Sequence, residues 1–496
     1  MTRSRRCRRG FGKFNCSPQV SIAFNCLAKH LGNGNPSPNK NKLEFDMTGA
    51  RLTATKQKWA VRASLLALLA ATSAQAAEDA KPAEPAADEL PSLLTSLPAL
   101  APIADAKRQL KDRGIFVQLN YIGEVLGNAS GGLRRGGVYD GRMELAVDAD
   151  MEKLAGLTGG AFHANGYWIH GTGLSRYYLG NTLTVSNIEA LPTVRLYELW
   201  YEQKAFDDRL GVRFGQLAAD TEFFASKYSA LFINGTFGWP AFTGANLPSG
   251  GPGYPFATPG VRVKLGNDSD PVNILAAVFD GDPSGSCGDD SQRCNRYGTN
   301  FRLQDAPLAM QEVQYRYNQG KDDGLAGSIK LGAFEHYGDF AHQRFGTTLK
   351  GDWGVYGIWD QQFWKLGTGE DAAKGGAFFV RVGGGPQTRN LVDFYADAGL
   401  TFSGLVPGRP DDGFGVAFGY AHISDQARDS DIDAGLTVLR RAESVLELSY
   451  QAQIVPGWSL QPDFQYIFSP GGGVADANGA RVRDAAVFGV RSTMNF

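Results

Sequence analysis

From Ile115 to Phe496 the chain alternates apolar and polar side chains with a period of two, and many of the polar positions are charged. Ile115, Val117, Leu119 and Tyr121 alternate with Gln118 and Asn120. Met143, Leu145, Val147 and Ala149 alternate with Arg142, Glu144, Asp148 and Asp150. A period of two belongs to a β-strand, whose successive side chains point to opposite faces. A strand with charge on every second residue cannot bury both faces in a soluble core. It suits a sheet with one face in lipid and the other in a wet lumen.

About sixteen such segments can be marked, an even number within the range of bacterial barrels. They lie near 115–125, 142–150, 161–170, 194–203, 209–216, 260–266, 272–279 and 309–317. The second half lies near 326–335, 353–364, 377–384, 393–403, 413–422, 443–454, 458–468 and 485–496. The intervening stretches tend to alternate long and short: 126–141 then 151–160, 171–193 then 204–208, 217–259 then 267–271. Outer-membrane barrels show this pattern, with long extracellular loops and short periplasmic turns. The fold class expected is all-β, a transmembrane antiparallel up-and-down β-barrel over 114–496.

Composition agrees. Gly is 63 of 496 residues and aromatics are 11%, as many short strands and turns require. A mean hydropathy of −0.24 excludes a polytopic helical membrane protein but not a barrel. Residues 1–76 hold 13 of the 49 Lys+Arg and 2 of the 51 Asp+Glu, which leaves 77–496 at a net charge of −13. So acidic a chain is a poor partner for nucleic acid.

The segment 47–76 reads as a signal peptide. Arg51, Lys56, Lys58 and Arg62 form a basic region, Ala63 to Ala71 an apolar one, and Ala74-Gln75-Ala76 a small-x-small cleavage site. The apolar run is too short to span a bilayer. Residues 1–46 are basic, Asn-rich and without periodicity, so translation is expected to begin at Met47. Residues 77–113 read as a periplasmic lead-in with a short helix from Ala104 to Arg113, stopped by Gly114. Beyond the signal only Cys287 and Cys294 remain, close together in a polar stretch, and a loop disulfide is expected. The last segment places Phe488, Val490, Ser492, Met494 and Phe496 on one face, and a closing strand ending in Phe is similar to the outer-membrane assembly signal.

Several stretches carry a more specific likeness: DMEKLAG at 150–156, RLYELWYEQ at 195–203, DWGVYGIWDQQFW at 352–364, NLVDFYADAGLTFSGLVPGRPDDGFGVAFGYAHIS at 390–424 and GWSLQPDFQYIFSPGG at 457–472. Over residues 104–496 the chain resembles the carbohydrate-selective porin family, the OprB type. The resemblance implies about 16 strands, extracellular loops folded inward to form a constriction, and passage of small neutral sugars. A homotrimer is compatible with it. The partners it implies besides sugar are outer-membrane lipid and the barrel assembly machinery.

A neutral sugar offers hydroxyls as donors and acceptors and an apolar C–H face, so its eyelet needs a few charged or amide groups beside aromatic rings. The loop 171–193 supplies Arg176, Tyr177, Tyr178, Asn181 and Glu189. The loop 217–259 supplies Glu222, Phe223, Phe224, Tyr228, Phe237, Trp239 and Phe242. In similar porins an arginine and a glutamate of the second loop meet in the eyelet, and Arg176 and Glu189 match them best. For the aromatics, pinning the loop to the wall is favoured over direct stacking on sugar. Arg213, Glu198 and Arg262 are expected on the lumen wall.

Other motifs fail. Asp429, Asp431 and Asp433 start like a calcium loop, but Arg440 occupies the position that requires Glu. Asp280, Asp282, Asp289 and Asp290 read as a solvated loop. His163 and His170 lack metal-ligand spacing, and GGGP at 383–386 lacks the Lys-Ser/Thr of a phosphate loop. No cofactor, metal or nucleophile–base constellation is expected. A general or anion-preferring porin, a barrel enzyme, and a structural or adhesive barrel are the alternatives. The first would line its eyelet with Lys and Arg, the second needs Ser/His/Asp chemistry at the rim, and the third has no use for two long inward-capable loops.

Overall fold

The computed structural model describes residues 92–496 apart from 289, 321–323 and 368–373. The expected signal peptide, the 1–46 extension and the first part of the lead-in, 77–91, lie outside the described residues. Sixteen strands form the sheet. They are β1 (Ile115–Gly132), β2 (Gly136–Asp150), β3 (Gly160–Gly171), β4 (Thr193–Ala205), β5 (Leu210–Leu217), β6 (Thr258–Leu265), β7 (Val272–Asp280) and β8 (Pro307–Tyr317), followed by β9 (Gly327–Ala341), β10 (Thr348–Lys365), β11 (Gly375–Gly384), β12 (Val392–Ser403), β13 (Gly413–Ile423), β14 (Ala442–Val455), β15 (Trp458–Phe468) and β16 (Arg483–Asn495).

Every strand pairs antiparallel with its neighbours in sequence, and β1 pairs with β16, so the barrel is closed. Closure removes the free edges that an open sheet would expose to lipid. The seam is set by register: Glu124 lies opposite Arg491, and the two form a buried ion pair.

The two faces differ as the alternation requires. On β7, Val272, Ile274 and Val278 are exposed while Asn273, Leu275 and Phe279 are buried. On β16, Phe488 and Val490 are exposed and Arg491 is buried. The exposed apolar face is the outside of the barrel, and the face carrying Glu124, Glu312, Arg381 and Glu447 is the inside.

Two expectations need correction. The β1–β2 connection is 133–135, not 126–141, because both strands run on through the Gly-rich stretch, with register shifts around Ser130. The inner face is also not uniformly wet. Leu275, Phe279, Leu308, Met310, Phe334, Tyr356, Phe379 and Tyr395 form a dry cluster there with residues of the β5–β6 connection.

The connections 172–192, 218–257, 281–306, 424–441 and 469–482 emerge at one end of the barrel and are the longer ones. The lead-in forms helix α1 (Ala101–Asp112), close to the expected 104–113. Gly114 ends it at φ +88°, where a Cβ would lie 2.8 Å from the Cβ of Lys153, so glycine serves both the conformation and the contact. Lys107 Nζ donates to the Phe496 carbonyl at 3.2 Å.

Candidate functional site: the barrel lumen

The β5–β6 connection, 218–257, is held by inward-pointing side chains of strands far apart in sequence. Phe224 N donates to Glu312 Oε2 of β8 at 3.0 Å, and Lys227 N to Asp360 Oδ2 of β10 at 3.2 Å. Asn234 N donates to Glu447 Oε2 of β14 at 3.0 Å, while Asn234 Nδ2 reaches Gln465 Oε1 of β15 at 2.9 Å. Arg381 of β11 donates to three loop carbonyls, those of Phe224, Thr236 and Gly238, at 2.9–3.1 Å. Apart from the Asn234 side-chain amide, each bond satisfies a loop peptide group that burial would otherwise leave unpaired.

Arg381 and its partner Asp397 are both fully buried, and Tyr395 Oη also donates to Asp397 and exchanges bonds with Thr236. This explains the Asp-Tyr-Asp-Gly run in 390–424. Asp393 binds His422 Nδ1 at 2.7 Å, Tyr395 and Asp397 anchor the connection through Arg381, and Gly399 leaves room for Phe379, whose ring carbon would lie 2.4 Å from a Cβ there. Aromatic side chains of the connection bury against the wall. Phe223, Phe224, Phe232, Phe237 and Phe242 are all at most 1% exposed. At about 1.5–3 kcal/mol for each fully buried large apolar side chain, this packing is a major part of what holds the segment.

The candidate residues divide by location. Arg176 sits in a turn, Ser175–Leu179. Glu189 caps that turn, accepting from Ser175 N and Arg176 N at 3.0 Å each. Burial raises its carboxyl pKa, and the two peptide N–H groups and the Arg176 charge oppose the rise. Gly173 makes the approach feasible, since a Cβ there would meet the Glu189 carboxylate at 2.2 Å. The Arg176 guanidinium turns instead to Asp290 Oδ2, at 2.8 Å. The glutamate expected beside the guanidinium therefore holds the peptide of the same residue, and the charge partner comes from the β7–β8 connection.

Tyr178 lies under the Arg134 guanidinium, 4.1 Å from its ring centroid, packed on the β1–β2 connection, whereas Tyr177 is exposed. Trp239 is fixed within its own segment by Nε1 donating to the Gly250 carbonyl at 2.9 Å. Glu222, read as a loop residue, meets Arg213 and Arg262 of β5 and β6. Arg262 forks onto Glu222 at 2.7 and 2.8 Å and reaches Glu202 at 2.8 Å. Arg213 joins Glu202 at 3.1 Å and lies 3.8 Å from the Trp200 ring centroid. Two arginines and two glutamates form one neutral box.

The inner face of β2–β4 carries a group that sequence reasoning passed over. Arg142 lies 4.7 Å from the Tyr167 ring centroid and pairs with Glu144 at 3.4 Å. Arg195 lies 4.9 Å from the Phe256 ring centroid, and its Nε and Nη2 have no protein partner. Asp220, from the β5–β6 connection, accepts from Tyr254 N at 2.7 Å and Tyr197 Oη at 3.1 Å, and burial raises its pKa to about 6. The alternation marks these strand positions as facing the lumen, but nothing local tells a wall charge from one beside an aromatic surface.

Cys287 and Cys294 are joined by a disulfide. Asp280 and Asp282 cap turns of the same connection, and Asp289 lies outside the described residues. Among the described residues no cluster of three or more metal-ligating side chains occurs.

A closed sixteen-strand antiparallel barrel with an apolar exterior, a charged and aromatic interior and longer connections at one end is an outer-membrane β-barrel of the porin class. The family model for the carbohydrate-selective porins, OprB family, matches residues 134–496, and the chain belongs to that family. It is 25% identical over 402 residues to Porin B of Pseudomonas aeruginosa, spanning 74% of this chain and 85% of that one. The structure of Pseudomonas putida OprB at high pH shares the fold, with a TM-score of 0.68 at 22% identity, covering 79% of this chain and 97% of that one.

Proposed function

We propose that the chain is a passive, sugar-preferring diffusion channel that admits small neutral carbohydrates to the periplasm, with the 218–257 segment as its constriction. The observation that carries this reading is the anchoring of that segment by buried side chains of β8, β10, β11, β14 and β15. A loop held on opposite sides of one lumen narrows it. The groups around it also suit a sugar better than an ion. The Arg213–Arg262–Glu202–Glu222 box is neutral, which argues against an anion pore, and arginines lie against tyrosine, tryptophan and phenylalanine rings.

Arg176 is the residue proposed to meet sugar hydroxyls directly, supported by its partial exposure of 30% and its charged partner. The same proposal has the mature chain begin at Ala77, the barrel assembly machinery insert it, three copies associate, and no catalysis occur. Liposome swelling tests the functional reading. Vesicles holding the purified protein should admit glucose faster than a charged solute of equal size. Equal rates, or faster entry of an anion, would point to a general or anion pore.

A further inference from the structure

The β7–β8 connection reaches the Arg176 turn from across the rim. The Cys287–Cys294 disulfide closes a short ring in it, and Asp290 lies inside that ring, 9% exposed. Asp290 Oδ1 accepts from Gln292 N at 3.1 Å, which orients the carboxylate, and Oδ2 receives Arg176 Nη1 at 2.8 Å. Arg293 Nε also approaches Oδ2, at 3.3 Å, so Asp290 has a second cation beside it, but that side chain is 66% exposed and its charge is screened by solvent.

From Gln292 inside the ring, and from Arg296, Tyr297 and Gly298 beyond it, the same connection is joined to the 172–192 segment and to the strands beside it. Leu191 N donates to Gln292 Oε1 at 2.7 Å, and Arg296 Nη2 to the Pro192 carbonyl at 2.9 Å. Leu196 N donates to the Tyr297 carbonyl at 3.0 Å, and Gln216 Nε2 to the Gly298 carbonyl at 3.1 Å.

A long, rotamer-rich arginine is held in one place only by a partner that is itself held. A carboxylate on an open loop would first have to be ordered, and a covalent ring removes part of that freedom in advance. Resting on the reading of Arg176 given above, we infer that the disulfide-closed turn 287–294 is a brace for the eyelet arginine, with Asp290 as its positioning residue. Full sugar selectivity then requires the disulfide to be formed, although neither cysteine touches the solute.

The test uses full-length channels in planar bilayers, with glucose block of the ion current as the probe. Asp290→Asn keeps the size and the acceptor for Gln292 N but removes the charge. It should weaken glucose block roughly ten-fold, about 1.4 kcal/mol, part of what a charge-assisted bond contributes. In an Arg176→Ala background it should have no further effect. A phosphine reductant added to assembled wild-type channels should shift block in the same direction and leave a Cys287→Ser/Cys294→Ser channel unchanged, which removes refolding from the question.

The inference is overturned if Arg176→Ala weakens block while Asp290→Asn and the reduced wild type behave as the oxidised wild type; the sugar role of Arg176 then stands without its brace. It is overturned equally if Asp290→Asn and Arg176→Ala act additively. Unchanged block in Arg176→Ala itself would remove both the sugar role and the brace.

Discussion

Arg381 is the strongest single hold on the 218–257 segment, and replacing it by Met separates two contributions. Arg381→Met keeps an apolar stem of similar length, removes donors from three loop carbonyls, and leaves Asp397 buried without its cation, with Tyr395 Oη still donating to it. Breaking a fully buried ion pair costs about 3–5 kcal/mol. Each orphaned carbonyl adds about 1 kcal/mol. The barrel keeps its sixteen strand pairings, so the loss falls on the segment. Even the lower figure changes the ratio of anchored to released segment by about a hundred-fold. Single-channel recording should show larger, noisier conductance and weakened sugar block, and the thermal transition should fall. The double variant Arg381→Met/Asp397→Leu removes the stranded charge. It should recover much of the thermal stability while keeping the enlarged conductance, because the loop carbonyls still lack donors. Wild-type conductance and block in Arg381→Met, or a double variant that restores both, would show that the segment is not held in this way.

Arg176→Ala should weaken sugar block and, by removing a cation from the narrow zone, make the pore more cation-selective, as reversal potentials would record; no change in either means another residue meets the sugar. Asp220, with a carboxyl pKa raised to about 6 by burial, is charged above that value and neutral below it. Cation selectivity should therefore fall as pH drops from 7 to 5, and the part of the fall centred near 6 should be absent in Asp220→Asn. N-terminal sequencing of outer-membrane material should begin at Ala77, and recovery of any residue from 1–46 would refute both the cleavage site and the Met47 start.

Strand number and most boundaries were legible because lipid on one side and charge on the other impose a period of two. The exception is instructive. GNASGGLRRGG at 127–137 has the composition of a loop, yet most of it is strand, bent by a register shift at Ser130 and kept slim by glycines against which Tyr178 packs. The aromatics of 218–257 were legible as packing residues, but their partners were not. Phe224 stacks on Tyr356 at 4.2 Å and Phe242 meets Phe334 at 5.6 Å, contacts that closure of the barrel creates. The pairing of Arg176 with Asp290 spans 114 residues, with no local pattern to announce it. Glu189, by contrast, was found for its position and proved to cap the turn that presents Arg176.

The central claim is selective passage of neutral sugar through a constricted lumen, and single-channel recording with sugar titration tests it most directly. Stepwise addition of glucose at fixed salt and voltage should reduce the current of the wild-type channel along a saturable curve. The half-blocking concentration should rise in Arg381→Met, whose constriction is loosened. A current that falls only in proportion to the viscosity of the added sugar, with no saturation and no difference between the two channels, would contradict the account.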